Sequence, residues 1–504
     1  MLKLAEKNRK WWILLAMSSS LALVFIDQTA LAVALPAIQR ELNLSNSLSQ
    51  WVINAYLLAL SAIILLGGKI GDRLGHKRAF LAGVIVFITA STLAALAESG
   101  AWLITARAIQ GIGAAFMMPS TNALVTNAFP AQERGKALGI YIALATIFLA
   151  LGPLLGGFLT QVFSWRAVFL INFPIALISI ILAISSVPTW RRREKLNIDY
   201  LGFFISVIFI SGFVLGFMEA PNWGWTSLPI MGLFLLSIIS LITFIGWEKK
   251  IPHPLVELTL FKNLTFTTLF SVLLIIQAVA IVFVFLAIFL QNVLHYSPLM
   301  AGLLLLPAMV PIMLMAPVGG HLRDKYGPTL PMFCGALLVV LSLIWIAIFS
   351  HNRGYAWLFP GLLVYGIGMP LILSGIMATV MNMVNAQQRG MASAIFNCAR
   401  QFGNTIGLAL LTGLLASVNK WQLNSFLHHS PVPLSRLKEQ QIDGLLVQSD
   451  QAMKAIAHLS LAHIELLKTA ALNAYTNAFS MTLLAAAILA FLSLFLILKI
   501  PRKQ

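Results

Sequence analysis

About fourteen apolar stretches of about 18 to 25 residues recur along the 504-residue chain, each long enough for an α-helix to cross about 30 Å of hydrocarbon. In lipid every backbone polar group has to be satisfied within its own segment, so such stretches fold as helices and the chain is an all-α polytopic membrane protein. The composition agrees, with 59% hydrophobic and 10% charged residues and a mean hydropathy of +0.90; a soluble protein of ordinary composition is excluded. The net charge of +17 does not point to nucleic acid, because the basic residues sit between spans and not in one patch with interleaved aromatics. With the amino terminus placed in the cytoplasm, about 23 of the 33 Lys and Arg fall in cytoplasmic segments and about three (Arg40, Arg166, Arg353) in short outer loops. That asymmetry orients the chain with both termini cytoplasmic, and attraction to anionic membrane lipids is a secondary consequence. Cys334 and Cys398 lie in or beside spans and give no disulfide framework. Lys3, Lys7, Arg9 and Lys10 precede a run too long for a signal peptide, which reads as an uncleaved first span.

Span 1 covers roughly residues 12–35 and ends at Pro36, and Asp27 is the one acidic residue well inside any span. An outer loop with Arg40 and Glu41 leads to span 2, which begins near Trp51 and carries Asn54 and Tyr56 on its first turns. A cytoplasmic turn from Gly67 to Arg78 follows, with Gly68, Asp72, Arg73, Gly75, Lys77 and Arg78. Span 4 holds Arg107, Gln110, Gly111 and Gly113, and span 5 the run Gly152-Pro153-Leu154-Leu155-Gly156-Gly157. Spans 7 and 8, about 200–218 and 228–247, carry no buried charge, which suits peripheral helices. Spans 9 to 12 run from about 264 to 383 and include a charged turn with Asp324 and Gly327. Span 13 carries Asn397, Arg400, Gln401, Gly403, Asn404 and Gly407. Residues 416–472 read as the single long outer segment, amphipathic, helical after Leu434 and too polar to cross.

An internal repeat divides the chain. Gln132-Glu133-Arg134-Gly135-Lys136-Ala137 matches Gln387-Gln388-Arg389-Gly390-Met391-Ala392 about 255 residues later, and the turn at Asp72 matches that at Asp324 at nearly the same offset. The expected organisation is a six-helix half over 1–193, two inserted helices over 194–250, and a second six-helix half over 251–504.

A charge inside a span costs several kcal/mol unless paired or hydrated, so Arg107 reads as functional. The alternative is an arginine snorkelling to the interface, since it lies only about five residues, roughly 8 Å of helix, inside Trp102. Gln110, Gly111 and Gly113 follow at helical spacing and admit a close neighbour, helix or substrate. Asp27 lies at a similar depth; a carboxyl balanced between a low-dielectric surrounding and a nearby arginine can load and release a proton as its surroundings alternate. Asp27 and Arg107 are therefore the expected proton-coupling pair, the alternative being a static pair that orders the helices. Gln28, Thr29, Asn54 and Gln110, together with Asn397, Arg400, Gln401 and Asn404 on one face of span 13, are expected to line a substrate cavity. For the span 13 face the alternative is interhelical hydrogen bonding. With one acid against two arginines, the spans suit neutral, monocationic or anionic lipophiles and not divalent cations.

These motifs resemble the major facilitator superfamily and, within it, the fourteen-span drug:proton antiporter family. Gly68 to Arg78 is similar to the superfamily's loop signature between spans 2 and 3, Leu103 to Ala115 to its span 4 signature, and Gly152 to Gly157 to the end of the antiporter signature of span 5. Ile26-Asp27-Gln28-Thr29, followed by Val33-Ala34-Leu35-Pro36, resembles the span 1 signature of the fourteen-span branch; Phe148 and Ala32 depart from the usual glycine and asparagine. The resemblance implies a major facilitator fold of two six-helix halves plus two inserted helices, working as a proton-coupled multidrug exporter in the cytoplasmic (inner) membrane. It also implies a conformational latch at Gly68, Asp72, Arg73, Gly75, Lys77 and Arg78, repeated more weakly at Asp324 and Gly327, with Pro328 where a base is common. Gly152, Pro153, Gly156 and Gly157 are implied to serve helix packing, and the outer segment either to meet a periplasmic adaptor protein or to shield the outer mouth. An exporter dedicated to one metabolite, lipid or siderophore is the alternative. A membrane enzyme would need clustered carboxylates, histidines or a metal-ligand set, and the histidines here are scattered apart from His428-His429. No enzymatic activity, cofactor or metal is expected, and the absence of a Walker-type loop argues against ATP drive.

Overall fold

The computed structural model describes residues 8–130, 133–188, 199–252, 254–384, 389–429 and 461–500. Their long elements are helices: α1 (Arg9–Glu41), α2 (Asn46–Leu74), α3 (His76–Ala95), α4 (Gly100–Ala128), α5 (Arg134–Val162), α6 (Arg166–Leu170) and α7 (Asn172–Ser186). There follow α8 (Tyr200–Trp223), α9 (Leu228–Glu248), α10 (Leu264–Ala280), α11 (Val282–Asn292), α12 (Pro298–Tyr326), α13 (Thr329–Phe349), α14 (Tyr355–Met383), α15 (Arg389–His429) and α16 (Leu461–Leu498). Helices α6 and α7 form one span interrupted at Ile171, and α10 and α11 another interrupted at Ile281. Thirteen spans are long and apolar enough to cross a membrane, and Ile147–Val162 of α5 supplies the apolar part of a fourteenth. The protein is thus a multi-pass membrane protein. Its outward faces keep large apolar side chains exposed, Leu228, Met231, Leu235, Ile238 and Ile242 along α9 for example, as a surface solvated by lipid requires.

The side on which α1 begins and α16 ends is the near side, and the opposite side is the far side. Three far-side loops end on capping serines: the side chains of Ser45, Ser99 and Ser297 accept the backbone N–H of Leu48, Trp102 and Met300 and cap α2, α4 and α12, each cap worth about 1 kcal/mol. Two near-side turns share a different device. Gly75 after α2 has φ +96° and donates its N–H to Gly71 O, and Gly327 after α12 has φ +79° and donates to Arg323 O. Both stand in the left-handed region that disfavours any side chain, and they are partners in the internal repeat.

The structure corrects two expectations about extent. Span 1 does not end at Pro36: α1 continues to Glu41, so Arg40 and Glu41 belong to its last turn and not to a loop. Proline withdraws one donor from the ladder, and Gln291 of α11 donates its Nε2 to Val33 O at 2.8 Å in the preceding turn, which keeps a carbonyl beside the break satisfied in the membrane. The segment 416–472 is not a loop throughout. α15 runs on to His429 and α16 begins at Leu461, so both project beyond the hydrocarbon; the 41 residues of α15 span about 60 Å at 1.5 Å each. Gln422 Oε1 accepts from Asn477 Nδ2 at 2.8 Å and ties the two extensions together; the stretch after Leu434 lies outside the described residues up to α16. Helices α8 and α9 run past the expected spans, and the acids Glu219 and Glu248 stand just beyond those bounds: Glu219 is half-buried, and Glu248 is only 3% exposed, where it accepts Val256 N–H at 3.1 Å.

Helix α8 packs on both α2 and α15, with α9 outside it. Trp51 Nε1 donates to Glu219 Oε1 at 2.8 Å, Asn54 Nδ2 to the sulfur of Met218, and Trp225 Nε1 to Ser417 Oγ at 3.0 Å. The inserted pair therefore lies across the seam between the first six spans and the last six.

Candidate functional site

Five spans deliver one buried polar cluster. Asp27 on α1 and Arg107 on α4 are both 0% exposed. Arg107 Nη1 donates to Asp27 Oδ2 at 2.6 Å and to Gln110 Oε1 at 2.7 Å, and its Nε to the Val52 carbonyl of α2 at 3.0 Å. Gln110 Nε2 returns to Asp27 Oδ1 at 2.9 Å. The guanidinium carbon lies 4.3 Å from the centre of the Tyr56 ring and 5.7 Å from that of Phe169, a stacking that suits a planar, weakly hydrated cation. Arg107 does not snorkel. Gly111 is why α2 comes close enough: a Cβ there would lie 2.4 Å from the Tyr56 carbonyl, so any other residue would push Val52 and Tyr56 off the arginine.

The sequence reading missed the second ring of partners. Asn172, on the first turn of α7, donates Nδ2 to Asp27 Oδ1 at 3.4 Å and to Ser91 Oγ of α3 at 2.9 Å, while Ser91 donates to Phe169 O at 2.9 Å. The available signal was a lone amide in the apolar run that opens α7. We expect Asn172→Ala to lower stability by about 1 kcal/mol, read as an earlier thermal unfolding of the purified protein, because it strips a donor from Asp27 and a partner from Ser91 without disturbing the ion pair.

The other expected cavity residues divide by direction. On α15, Asn397, Arg400 and Asn404 are partly exposed, whereas Gln401 is buried and its Nε2 meets the Met118 sulfur of α4 at 3.7 Å. Thr405, one turn on, donates to the Leu57 carbonyl of α2 at 3.1 Å. Arg400 faces the first six spans, 5.3 Å from the centre of the Phe25 ring of α1. Two residues point away from a central space. Asn54 is turned to Met218 of α8, and Thr29 is turned into α5, where its Oγ1 would lie 1.8 Å from a Cβ at Gly152. Gln28 lies beside the Tyr56 hydroxyl.

The glycines of α5 seat α1. A Cβ at Gly156 would lie 2.4 Å from Ala30 O. Gly403 and Gly407 of α15 form the same i, i+4 pair in the second half of the chain, with Leu274 O at 2.5 Å and Ala278 O at 2.3 Å from the added carbons. Both pairs let the first helix of a half cross the fifth at backbone contact, the geometry that small residues allow in membranes. Gly157 and Pro153 meet α12: a Cβ at Gly157 would lie 2.3 Å from Pro298 O, and one at Gly302 2.3 Å from Pro153 O.

Of the expected latch, Asp72 pairs with His76 at 3.2 Å. Lys77 Nζ donates to the Val187 and Ile184 carbonyls at 2.5 and 3.1 Å, and Arg9 Nε to Ser186 O at 2.7 Å, so two cations close the carboxyl end of α7 where the helix dipole favours them. Arg73 and Arg78 are exposed, and a Cβ added at Gly68 would meet Pro119 of α4 at an ordinary 3.6 Å. The second copy differs, because Asp324 is paired with its own neighbour Arg323 and, among the described residues, ties no other helix. Arg389 begins α15, and its side chain lies outside the described residues.

Hydrogen bonds joining the first six spans to the last six run from mid-span to the far side: Gln401 to Met118, Thr405 to Leu57, Gln291 to Val33, and Leu299 N–H to Gln161 Oε1 at 3.2 Å. With the close approaches of Gly157 to Pro298 and of Gly302 to Pro153, they hold the two sides of the seam together there.

Fourteen spans around a central seam, a buried carboxylate–guanidinium cluster and the paired glycine crossings are the features of a secondary transporter. The Major Facilitator Superfamily model matches residues 17–408, and the chain belongs to that family. Its relatives include Multidrug resistance protein Stp of Mycobacterium tuberculosis, 32% identical over 84% of this chain and 79% of that protein. The Tetracenomycin C resistance and export protein of Streptomyces glaucescens is 31% identical over 82% of this chain and 77% of its own length, and the Multidrug efflux pump LfrA of Mycolicibacterium smegmatis 32% over 80% of each. Among solved structures, a bacterial homolog of the human lysosomal transporter Spinster, inward-facing and occupied, aligns with a TM-score of 0.67 at 18% identity over 99% of this chain and 98% of that one. A D-xylose–proton symporter aligns at 0.60 and 16% identity over 88% and 96%. These two likenesses concern the fold alone.

Proposed function

We propose that the protein exports small amphiphilic compounds from the cytoplasm in exchange for protons, by alternating access around the central seam. The observation that carries this reading is the Asp27–Arg107–Gln110 cluster, a titratable group held at mid-span by partners from several helices. The names of the relatives support drugs and antibiotics as cargo. In this reading the near side, with both termini, faces the cytoplasm, which the Lys/Arg asymmetry supports, and the membrane is the cytoplasmic one. With the two sides of the seam held together on the far side, cargo enters from the near side. A proton arriving at Asp27 cancels its charge and loosens the pair. Arg107 still keeps Gln110 Oε1 and the Val52 carbonyl, so the arginine stays satisfied while α1 is released to move against α4, and the cycle closes when the proton leaves on the cytoplasmic side. Asp72, Lys77 and the turn around them act as the near-side latch, and the far-side extensions of α15 and α16 offer a contact for a periplasmic adaptor protein.

The test is efflux of amphiphilic fluorescent dyes from proteoliposomes with and without an imposed pH gradient. The reading expects export that rises with the gradient and stops when an ionophore collapses it. Export indifferent to the gradient contradicts proton exchange, and no movement of any dye contradicts export of amphiphiles.

A further inference from the structure

The two intramembrane arginines are compensated very differently. Arg107 has a carboxylate, an amide oxygen and a carbonyl. Arg400 lies on the face of α15 that looks across the seam, over the Phe25 ring of α1 at 5.3 Å and within electrostatic reach of the Tyr141 hydroxyl of α5. Among the described residues it makes no ion pair. Tyr141 does not neutralise it, because a phenol hydroxyl carries no charge; that hydroxyl also lies 2.6 Å from Thr121 Oγ1. The mid-span carboxylate, Asp27, is already occupied by Arg107, Gln110 and Asn172. The central space therefore carries one guanidinium in excess, in surroundings where a cation without an anion is costly. Asn397 and Asn404 stand three before and four after Arg400 on the same partly exposed face, adding neutral amide donors to the charged fork.

We propose that Arg400 is the anchor for an anionic group on the cargo: the transporter selects amphiphiles that pair a carboxylate, sulfonate or similar anion with an aromatic body, the anion held in the guanidinium fork and the ring laid against Phe25. A ligand of this kind supplies the missing charge and fills the seam at once. A cationic ligand would add a second uncompensated charge beside Arg400. The inference rests on the export reading only in taking the central seam for the cargo's path.

The experiment uses three probes with one body and different charge: 1-pyrenebutyrate, 1-pyrenebutanol and 1-pyrenebutylamine. Their binding to the full chain in nanodiscs of neutral lipid, corrected against empty discs, is compared for the native protein, Arg400→Gln and Arg400→Lys. The expected result is butyrate binding about tenfold tighter than butanol and tighter still than the amine, with that preference erased in Arg400→Gln and partly retained in Arg400→Lys, which keeps the charge and loses the fork. Equal affinities in the native protein, or tightest binding of the amine, overturn the inference without any variant, so a misfolded Arg400→Gln does not protect it. A butyrate preference that survives in folded Arg400→Gln overturns it as well. The same probes in proteoliposomes separate the two readings. Preferential binding of butyrate without gradient-driven movement of any probe sinks the export reading and leaves the anion site standing, whereas gradient-driven export with no charge preference sinks only the anion site.

Discussion

Asp27→Asn is expected to abolish gradient-driven export, lowering the initial rate of dye efflux in proteoliposomes by about a hundredfold while the protein still inserts. Asparagine keeps an oxygen for Arg107 or Gln110 but neither charge nor proton affinity, and breaking a buried pair costs about 3 to 5 kcal/mol. About 3 kcal/mol is already a hundredfold in an equilibrium. The variant stays folded because Arg107 retains Gln110 Oε1, the Val52 carbonyl and the Tyr56 ring, but it is locked into the state that protonation reaches only transiently in the native protein. Export that survives the substitution with its gradient dependence intact would move coupling to another acid, and Glu219, held by Trp51 at the far end of α8, would be the next to replace.

The second large effect belongs to the helix crossings. Gly156→Val and Gly407→Val are each expected to cost about 3 kcal/mol or more, since overpacking alone costs about 1 to 3 kcal/mol and the atoms in the way are the backbone of Ala30 and of Ala278. Unlike the far end of a side chain, a neighbouring helix cannot turn aside. Thermal unfolding of the purified variants reads the loss, with Gly232→Ala and Gly246→Ala as counterparts. Nothing lies within 4 Å of a Cβ at either α9 position, and alanine there is expected to be neutral or to gain up to about 1 kcal/mol from helix propensity. Equal unfolding temperatures across the four variants would contradict the crossings as described.

The largest features were legible in the chain because the membrane leaves few alternatives. A run of about twenty apolar residues can only be a helix there, and a carboxylate or guanidinium inside one is rare enough to mark a site, which is how Asp27 and Arg107 stood out. Neutral polar residues lack that rarity. Asn172 and Ser91 reach Asp27 through the packing of α7 and α3 on α1, and a single span's periodicity does not say which neighbour a given face will meet. The same gap hid the direction of Asn54, which sits at helical spacing for a cavity but is covered by α8. Pro36 misled as a terminator because Gln291, 255 positions later, satisfies a carbonyl of the turn before it. The extension of α15 was expected to be helical only after Leu434 because it is polar, yet it is a helix leaving lipid and therefore free to become polar without ending. Gly403-x-x-x-Gly407 was visible but carried no weight alone. Its meaning comes from standing where Gly152 and Gly156 stand in the other half.

The central claim is that the carboxyl of Asp27 exchanges its proton as cargo comes and goes. The most direct measurement is the pH change of a weakly buffered solution of the purified protein when a saturating amphiphile is added, at the pH where native export is half-maximal, for the native chain and for Asp27→Asn. The account predicts a stoichiometric proton release of up to one per protein in the native chain and none in the variant; an equal release from both would contradict it.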